Sequence, residues 1–229
     1  PKKIYGHGWI LSGDEKMSKS LGNILDPIEI INIYGIDQLR YYLVKEVSLG
    51  NDGSISMDNL KNCINNDLAN NYGNLCQRVF SFIKKNSANK IPRKDKLIEL
   101  DNKLLNDLKK NIPNLIDLIN KQNLNEFLKI VVGYSFDANK YFNDSEPWSV
   151  KKSDPDRMSA ILYTICTQIK NISILLNPII PLATEKVLET MNVRKENRTI
   201  SKIDNLECFD HDKELKKLEI LFTKIDNDN

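Results

Sequence analysis

A long stretch of helical periodicity dominates the chain after residue 55 and limits this part to an α-helical architecture. Apolar residues recur at spacings of three, four and seven residues, which is the pattern of an amphipathic helix. Ser56 precedes the first run and is a candidate N-cap. The apolar positions of that run are Met57, Leu60, Ile64, Leu68, Leu75, Val79 and Phe82.

Further amphipathic runs follow the first one along the chain. Pro113 lies inside the second run and is expected to kink that helix without ending it. Because long helices with short connections pack as bundles, we predict a helical bundle over residues 56–229. The later helices are predicted over residues 95–120, 123–143, 154–176 and 182–191, with a short last helix over 212–222.

Residues 1–55 differ from the rest and contain most of the chain's glycines. Residues 2–11 predict a strand that enters a turn. Asp26, followed by a proline, predicts the start of a short helix that ends at Gly35, and a second helix follows. Residues 52–53 predict a tight turn. The fold class expected is therefore mainly α, with a small α/β unit over residues 1–55 ahead of the bundle.

The composition of the chain argues against several classes of protein. With 33 basic and 31 acidic residues the net charge is +2, so no overall field favours nucleic acid, although a local face still can. No apolar run approaches about 18 residues, so no transmembrane helix is predicted and a cytoplasmic location is expected. The four cysteines form no CxxC pair, which argues against a zinc site or a disulfide framework. No metal ligands are expected in this chain.

One loop in the first unit carries residue types suited to binding phosphate, in the order Lys16, Met17, Ser18, Lys19 and Ser20. Two ammonium groups three residues apart can hold a polyphosphate and follow charge onto a leaving pyrophosphate. The serine hydroxyls and the backbone N–H groups can add hydrogen bonds. Taken without their neighbours, these five residues fit a solvated turn better.

The neighbouring residues resemble those of the class I aminoacyl-tRNA synthetases. "KMSKSLGN", followed by "DP" and a short helix, is similar to the second signature of that class, which the leucyl, isoleucyl, valyl and cysteinyl enzymes share. "YGIDQLRYYL" and "LGNDGSIS" resemble the methionyl-tRNA synthetase family in particular. So do "NNDLANNYGNLCQRV", "NDSEPWSVKK" and "LNPIIPLATEKV", and the resemblance covers almost the whole chain. Two alternatives stay open: a related class I synthetase for another aliphatic amino acid, and a non-catalytic tRNA-binding helical module.

This resemblance implies a reaction and roles for the loop residues. In the family, methionine and ATP give methionyl-adenylate and pyrophosphate, the methionyl group then passes to tRNA(Met), and Mg²⁺ accompanies the ATP. Lys19 matches the lysine most often assigned to ATP, with Lys16 as its helper, and Met17, Ser18 and Ser20 complete the implied ATP-binding set. The first, HIGH-type signature of the class is missing. We therefore expect a C-terminal part of the enzyme core that forms no adenylate without the N-terminal half.

A second group of candidate residues lies on the first long helix and beyond it. Asn74 and Arg78 are four residues apart, so both project from one helix face, where they can bond the base edges of an unstacked RNA loop. Trp148 follows a proline where a helix is expected to end, and a base stacked on its ring is worth roughly 1–3 kcal/mol. The resemblance implies that these three residues contact the anticodon. Without it, a solvated helix face and a packed tryptophan fit better. Candidate phosphate contacts are Lys84, Lys85, Lys151 and Lys152.

Overall fold

The computed structural model describes residues 1–2, 4–6, 8–13, 15–18, 20, 23–203, 205 and 208–225. Helices make up most of this part of the chain, and a three-stranded sheet lies near its N-terminus. The prediction of a mainly α protein, with a small α/β unit ahead of a helical bundle, is confirmed.

The sheet is formed by three short strands from two parts of the chain. Strand β1 (Ile10–Ser12) is central: it pairs antiparallel with β2 (Glu15–Lys16) and parallel with β3 (Gly53–Ile55). Gly13, in the turn after β1, has a φ of 63°, a left-handed conformation that favours glycine. The predicted turn at this point is confirmed, and it places Lys16 at the end of an edge strand.

Two helices follow in the first unit, α1 (Pro27–Tyr34) and α2 (Ile36–Glu46). The Asp26 carboxylate accepts a hydrogen bond from the Ile28 N–H at 2.8 Å, which is the predicted N-cap. Gly35 separates the two helices with a φ of 102°, so the predicted end of α1 is also confirmed.

The turn between α2 and β3 lies earlier than predicted. Gly50 has a φ of 93°, and the Asn51 N–H donates to the Ser48 carbonyl at 3.1 Å. Gly53 instead begins β3, and its N–H donates to the Trp9 carbonyl at 2.9 Å. Pairing with the first part of the chain takes Gly53 into the sheet, so the left-handed turn position falls on Gly50.

The bundle begins with α3 (Met57–Cys63), which is capped by the Ser56 hydroxyl as predicted. A π-helix (Ile64–Gly73) continues directly into α4 (Asn74–Asn86). The helices that follow are α5 (Glu99–Asn120), α6 (Leu124–Asp144), α7 (Pro147–Val150), α8 (Pro155–Leu176) and α9 (Pro181–Thr190), with 3₁₀ turns at Lys195–Asn197 and Ile200–Lys202.

The π-helix replaces part of what the periodicity predicts as one α-helix. Its N–H groups bond to carbonyls five residues back, so each turn holds an extra residue and the helix faces rotate. As a result Asn71 turns inward and is only 1% exposed, and its side-chain oxygen accepts from the Asn139 amide of α6 at 3.0 Å. Asn70 stays exposed.

The predicted last helix, over residues 212–222, is wrong. This segment runs along the bundle without helical structure, because its backbone groups bond to other elements. The Leu215 N–H donates to the Asn89 carbonyl at 2.7 Å. Beyond it, the Asn65 amide donates to the Ile225 carbonyl at 2.8 Å and accepts from its N–H at 2.9 Å. These tertiary bonds outweigh the local helical pattern.

Helix α8 forms the core of the bundle. It is long and apolar enough to cross a membrane by length and composition, but 94% of its most apolar window is buried inside the fold. Its first turn is tied to α5 and α6 by a buried polar cluster. Arg157 donates two hydrogen bonds to the Asp101 carboxylate, at 2.5 and 2.8 Å, and the Tyr141 hydroxyl donates a third at 2.5 Å.

Helix α2 holds the first unit against the bundle. Arg40 donates to the carbonyls of Pro178 and Ile179, at 2.7 and 2.8 Å, in the connection between α8 and α9. The buried Asp37 carboxylate accepts from the Ala183 N–H in the first turn of α9 at 2.7 Å. Met17, in the loop over residues 16–20 that we call the lysine loop, packs against the same hydrophobic core as the bundle.

Candidate functional site

The described part of the lysine loop starts at the end of β2 with an exposed side chain. The Lys16 ammonium lies 4.8 Å from the centroid of the Trp9 ring, which is itself 64% exposed. A cation–π contact positions the ammonium and leaves N–H groups that point away from the ring able to bind an anion. Lys16 is therefore available to a phosphate ligand.

Asn23 folds the middle of this loop. Its side-chain oxygen accepts from the Ser18 N–H at 2.8 Å, and its amide donates to the Lys16 carbonyl at 3.3 Å. The hydroxyls of Ser18 and Ser20 lie 2.7 Å apart, and Met17 is half-buried against the core. Sequence reasoning missed Asn23, although an asparagine beside a glycine is a recognised turn signal.

The principal lysine of the sequence-based prediction, Lys19, lies outside the described residues. Of the other four members, the structure brings Lys16, Ser18 and Ser20 together on one surface loop, and Met17 anchors that loop from below. The paired Ser18 and Ser20 hydroxyls and the exposed Lys16 ammonium are groups able to bond phosphate oxygens.

The second candidate site is built around Arg78 in α4. Its guanidinium donates to the Asn143 side-chain oxygen at 2.6 Å, and its central carbon lies 5.5 Å from the centroid of the Phe142 ring. Both partners lie in the last turn of α6. A guanidinium held by a hydrogen bond and an aromatic ring loses little further freedom on binding.

Trp148 completes this cluster from a third element. Helix α6 ends at Asp144, and Glu146 adopts a left-handed conformation with a φ of 42° that reverses the chain before α7. Trp148 is thereby brought back to Phe142, with ring centroids 5.9 Å apart and an interplanar angle of 79°. Because the two ring planes are nearly perpendicular, at least one indole face is uncovered by Phe142, and the side chain is 42% exposed.

The structure brings Arg78 and Trp148 together through a residue that sequence reasoning missed, Phe142. Asn74 is the exposed first residue of α4, one turn before Arg78 on the same helix face. An amide, a guanidinium and an indole thus line one surface. These are groups that bond and stack with unpaired bases. The signal that could have identified Phe142 is its place in an aromatic-rich segment six residues before Trp148.

Basic residues surround the C-terminal end of α4, next to this cluster. Lys84 and Lys85 lie exposed in its last turn, and Lys151, just after α7, donates to the Asn86 side chain at 3.1 Å. Phosphate contacts from such lysines position a nucleic acid without reading its sequence. Their placement fits the contact predicted for them, which stays a prediction.

No group of three or more His, Cys, Asp or Glu residues is arranged to hold a metal ion within the described part of the chain. All four cysteines are free and buried. Burial raises the pKa of the Cys63 thiol to about 11, so this thiol is neutral near pH 7. Thiolate chemistry therefore has no support at Cys63.

Two family models match the chain. Residues 1–80 match a model described as tRNA synthetases class I (M). Residues 91–229 match one described as the anticodon binding domain of methionyl tRNA ligase. The second match contains α5 to α9, and the first contains the lysine loop and the start of α4.

Curated proteins and solved structures give the same result. The chain is 40% identical to a methionine–tRNA ligase of Rickettsia felis over 203 residues, which is 86% of this chain and 39% of that protein. It is 37% identical to one of Brucella suis, over 89% of this chain and 39% of that protein. Mycobacterium tuberculosis methionyl-tRNA synthetase in complex with methionyl-adenylate superposes with a TM-score of 0.90 at 30% identity, covering 97% of this chain and 44% of that one. The chain therefore spans about two fifths of the length of the curated relatives it matches.

Proposed function

The chain belongs to the methionyl-tRNA synthetase family, and we propose on that premise that it supplies the lysine loop and the anticodon-reading helices of a methionine–tRNA ligase. The complete enzyme would join methionine to ATP, release pyrophosphate and transfer the methionyl group to tRNA(Met) in the cytoplasm. The Arg78–Phe142–Trp148 cluster is the observation that carries the anticodon part of this proposal.

Anticodon reading would use Asn74, Arg78 and Trp148 in different ways. Trp148 offers an open indole face to one base, and Arg78, pinned by Asn143, keeps further N–H groups for a base edge or a phosphate. Asn74 presents both a donor and an acceptor one turn away. Because Phe142 contacts both Arg78 and Trp148, the stacking and hydrogen-bonding groups are held in a common frame.

The lysine loop would act on ATP by charge. Lys19, with Lys16 as helper, would stabilise the negative charge that develops on departing pyrophosphate, and the loop serines would bond phosphate oxygens. No protein nucleophile is needed, because positioning and electrostatic stabilisation suffice for this step. Mg²⁺ would accompany the ATP phosphates.

We propose that two roles divide at Ser56: residues 1–55 act on ATP, and residues 56–229 bind tRNA. Hydrogen bonds of Arg40 and of the buried Asp37 carboxylate join the two parts, so closure of the loop and binding of the anticodon involve one connected body. Activation would also need a methionine pocket and a nucleotide-binding fold from a further part of the enzyme. This chain alone is therefore expected to show no methionine-dependent exchange of ATP and pyrophosphate.

Binding of an anticodon stem-loop RNA tests the site. For a loop with a CAU anticodon, Arg78→Ala is expected to weaken binding about 10- to 150-fold, the value of hydrogen bonds from a charged donor. Trp148→Ala should weaken it about 5- to 150-fold, the value of one base stack. Lys110→Ala on α5 is the control, since it removes an exposed charge away from the cluster. Unchanged affinity in both site variants would refute the assignment.

A further inference from the structure

A cavity of about 300 Å³ lies between α2, the π-helix and α6, and the proposed function does not use it. Phe136 in its wall precedes Asn143 by seven residues on α6, which is two turns, or about 10 Å, along the helix. The α6 wall therefore continues along that helix from the Arg78–Phe142–Trp148 cluster, and Asp67 of the π-helix also lines the cavity.

One wall of this cavity combines an exposed ring with an open space. Phe136 is 52% exposed, and Val132 beside it is buried. A Cβ atom built on Gly133 would meet no other atom within 4 Å, so packing does not require glycine at this position. Glycine is unfavourable inside a helix, yet here it leaves a notch beside the Phe136 ring into which a flat group fits.

The rim of the cavity carries fixed and exchangeable charges. The Asp67 carboxylate is held by the Tyr41 hydroxyl and the Lys45 ammonium, each at 2.8 Å. Lys129 is far more exposed, and its ammonium lies 3.4 Å from the Glu126 carboxylate. Asp67 can therefore accept a hydrogen bond in a defined direction, whereas Lys129 can exchange Glu126 for a phosphate at little cost.

We propose that this cavity binds one unpaired nucleotide of the RNA loop whose anticodon contacts Arg78 and Trp148. The base stacks on Phe136 above Gly133, and a neighbouring phosphate pairs with Lys129. Asp67 accepts a hydrogen bond from a base amino group or a ribose hydroxyl. Aromatic stacking combined with a nearby cation is the usual way in which proteins bind single-stranded RNA, and the volume suits a group of this size.

This inference rests on the proposed function and adds a second base site to it. Its test therefore uses the same stem-loop RNA with a fluorescent base at a chosen position. A CAU stem-loop carries 2-aminopurine at one loop position outside the anticodon, in a series that covers each such position. At one of these positions the wild-type chain should change the fluorescence, because the base moves onto Phe136. Phe136→Ala should remove that change and weaken binding about 5- to 150-fold.

One substitution inside the notch and one outside the cavity separate cavity filling from a general loss of binding. Gly133→Met fills the notch and should weaken binding as strongly as Phe136→Ala does. Ile116→Ala on α5 removes another exposed apolar side chain, outside the cavity, and serves as the control.

The outcomes distinguish this inference from the proposal beneath it. If Phe136→Ala and Gly133→Met bind as the wild type does while Arg78→Ala is weakened, the cavity assignment is wrong and the anticodon site stands. If Gly133→Met binds normally although Phe136→Ala is weakened, the base does not occupy the notch and the inference also fails. If the wild-type chain binds no stem-loop RNA, the anticodon site and the cavity site are both refuted.

Discussion

Replacing Asp101 by asparagine should destabilise the protein more than any exposed charge change on the same helix. Asp101 is fully buried and ties α5 to α6 and α8 through Tyr141 and Arg157. Tyr141 directly precedes Phe142, so this cluster also holds the end of α6 that supports the anticodon site. Loss of the carboxylate leaves the Arg157 guanidinium, whose side chain is only 17% exposed, without its counter-charge.

The expected loss in the free energy of unfolding is about 3 kcal/mol. Removing one partner of a buried ion pair costs roughly 3–5 kcal/mol. The low end of this range applies because the asparagine oxygen still accepts one hydrogen bond from Arg157 or Tyr141. Asp107→Asn is the matched control, since Asp107 forms an exposed pair with Lys103 on the same helix, and its stability should stay within experimental error of the wild type.

Urea unfolding over a range of pH measures both the size and the cause of this effect. Burial alone raises the pKa of the Asp101 carboxyl, but hydrogen bonds from Arg157 and Tyr141 outweigh burial and hold this pKa below its usual value. The charged carboxylate therefore stabilises the fold above the unfolded-state pKa of about 3.9. This contribution is lost as the pH falls through the lower pKa of the folded state.

The stability difference between the wild type and Asp101→Asn should thus be full near pH 7 and should shrink below about pH 4. A constant difference across this range would refute the electrostatic explanation. Equal stabilities of Asp101→Asn and Asp107→Asn near pH 7 would refute the assignment of a stabilising role to the cluster.

Two further substitutions test other parts of the structure. Gly73→Ala would place a Cβ 2.9 Å from the Leu68 carbonyl oxygen and 3.3 Å from the Phe222 ring. We therefore expect this variant to have a lower melting temperature and faster proteolysis after residue 210. Gly133→Ala is the control, because its Cβ lies in open space, and it should raise the melting temperature. Asn143→Ala removes the acceptor that holds Arg78 and should weaken CAU stem-loop binding about fivefold. Its melting temperature should match that of the wild type, because Asn143 is exposed; full affinity would show that Arg78 does not need this support.

Local signals in the sequence were sufficient to predict most of the helical fold. Asp26 and Ser56 cap the helices that they were expected to cap, because a side-chain oxygen at an N-cap satisfies a backbone N–H whatever the tertiary context. The long runs after residue 95 begin and end within four residues of their predicted limits. An apolar periodicity sustained over many residues leaves little freedom in where such a helix begins and ends.

Apart from Asn23, the features that sequence reasoning missed depend on contacts between distant residues. Residues 212–222 avoid a helix because their backbone bonds to other elements, such as Asn89, more than a hundred residues earlier. Asn65 bonds the backbone of Ile225 just beyond this segment. The π-helix turns Asn71 inward, where it meets Asn139. Three and four residue spacings in one segment contain no information about such partners.

The candidate sites likewise contain features that local spacing predicts and features that depend on contacts between distant elements. The spacing of Asn74 and Arg78 predicts that they share a helix face, since this follows from helix geometry alone. That Arg78 and Trp148 meet across Phe142 follows only from the packing of α4, α6 and α7. Their assignment to an anticodon is a proposal that the RNA experiments test.

One comparison of affinities tests the central claim most directly, namely that this bundle reads an anticodon. The wild-type chain is titrated with two stem-loop RNAs that differ only in the first anticodon base, one of them carrying CAU. The account predicts at least about tenfold weaker binding of the changed loop, since a base edge bonded by a charged donor is worth roughly 1.5–3 kcal/mol. Equal affinities for the two loops would contradict it.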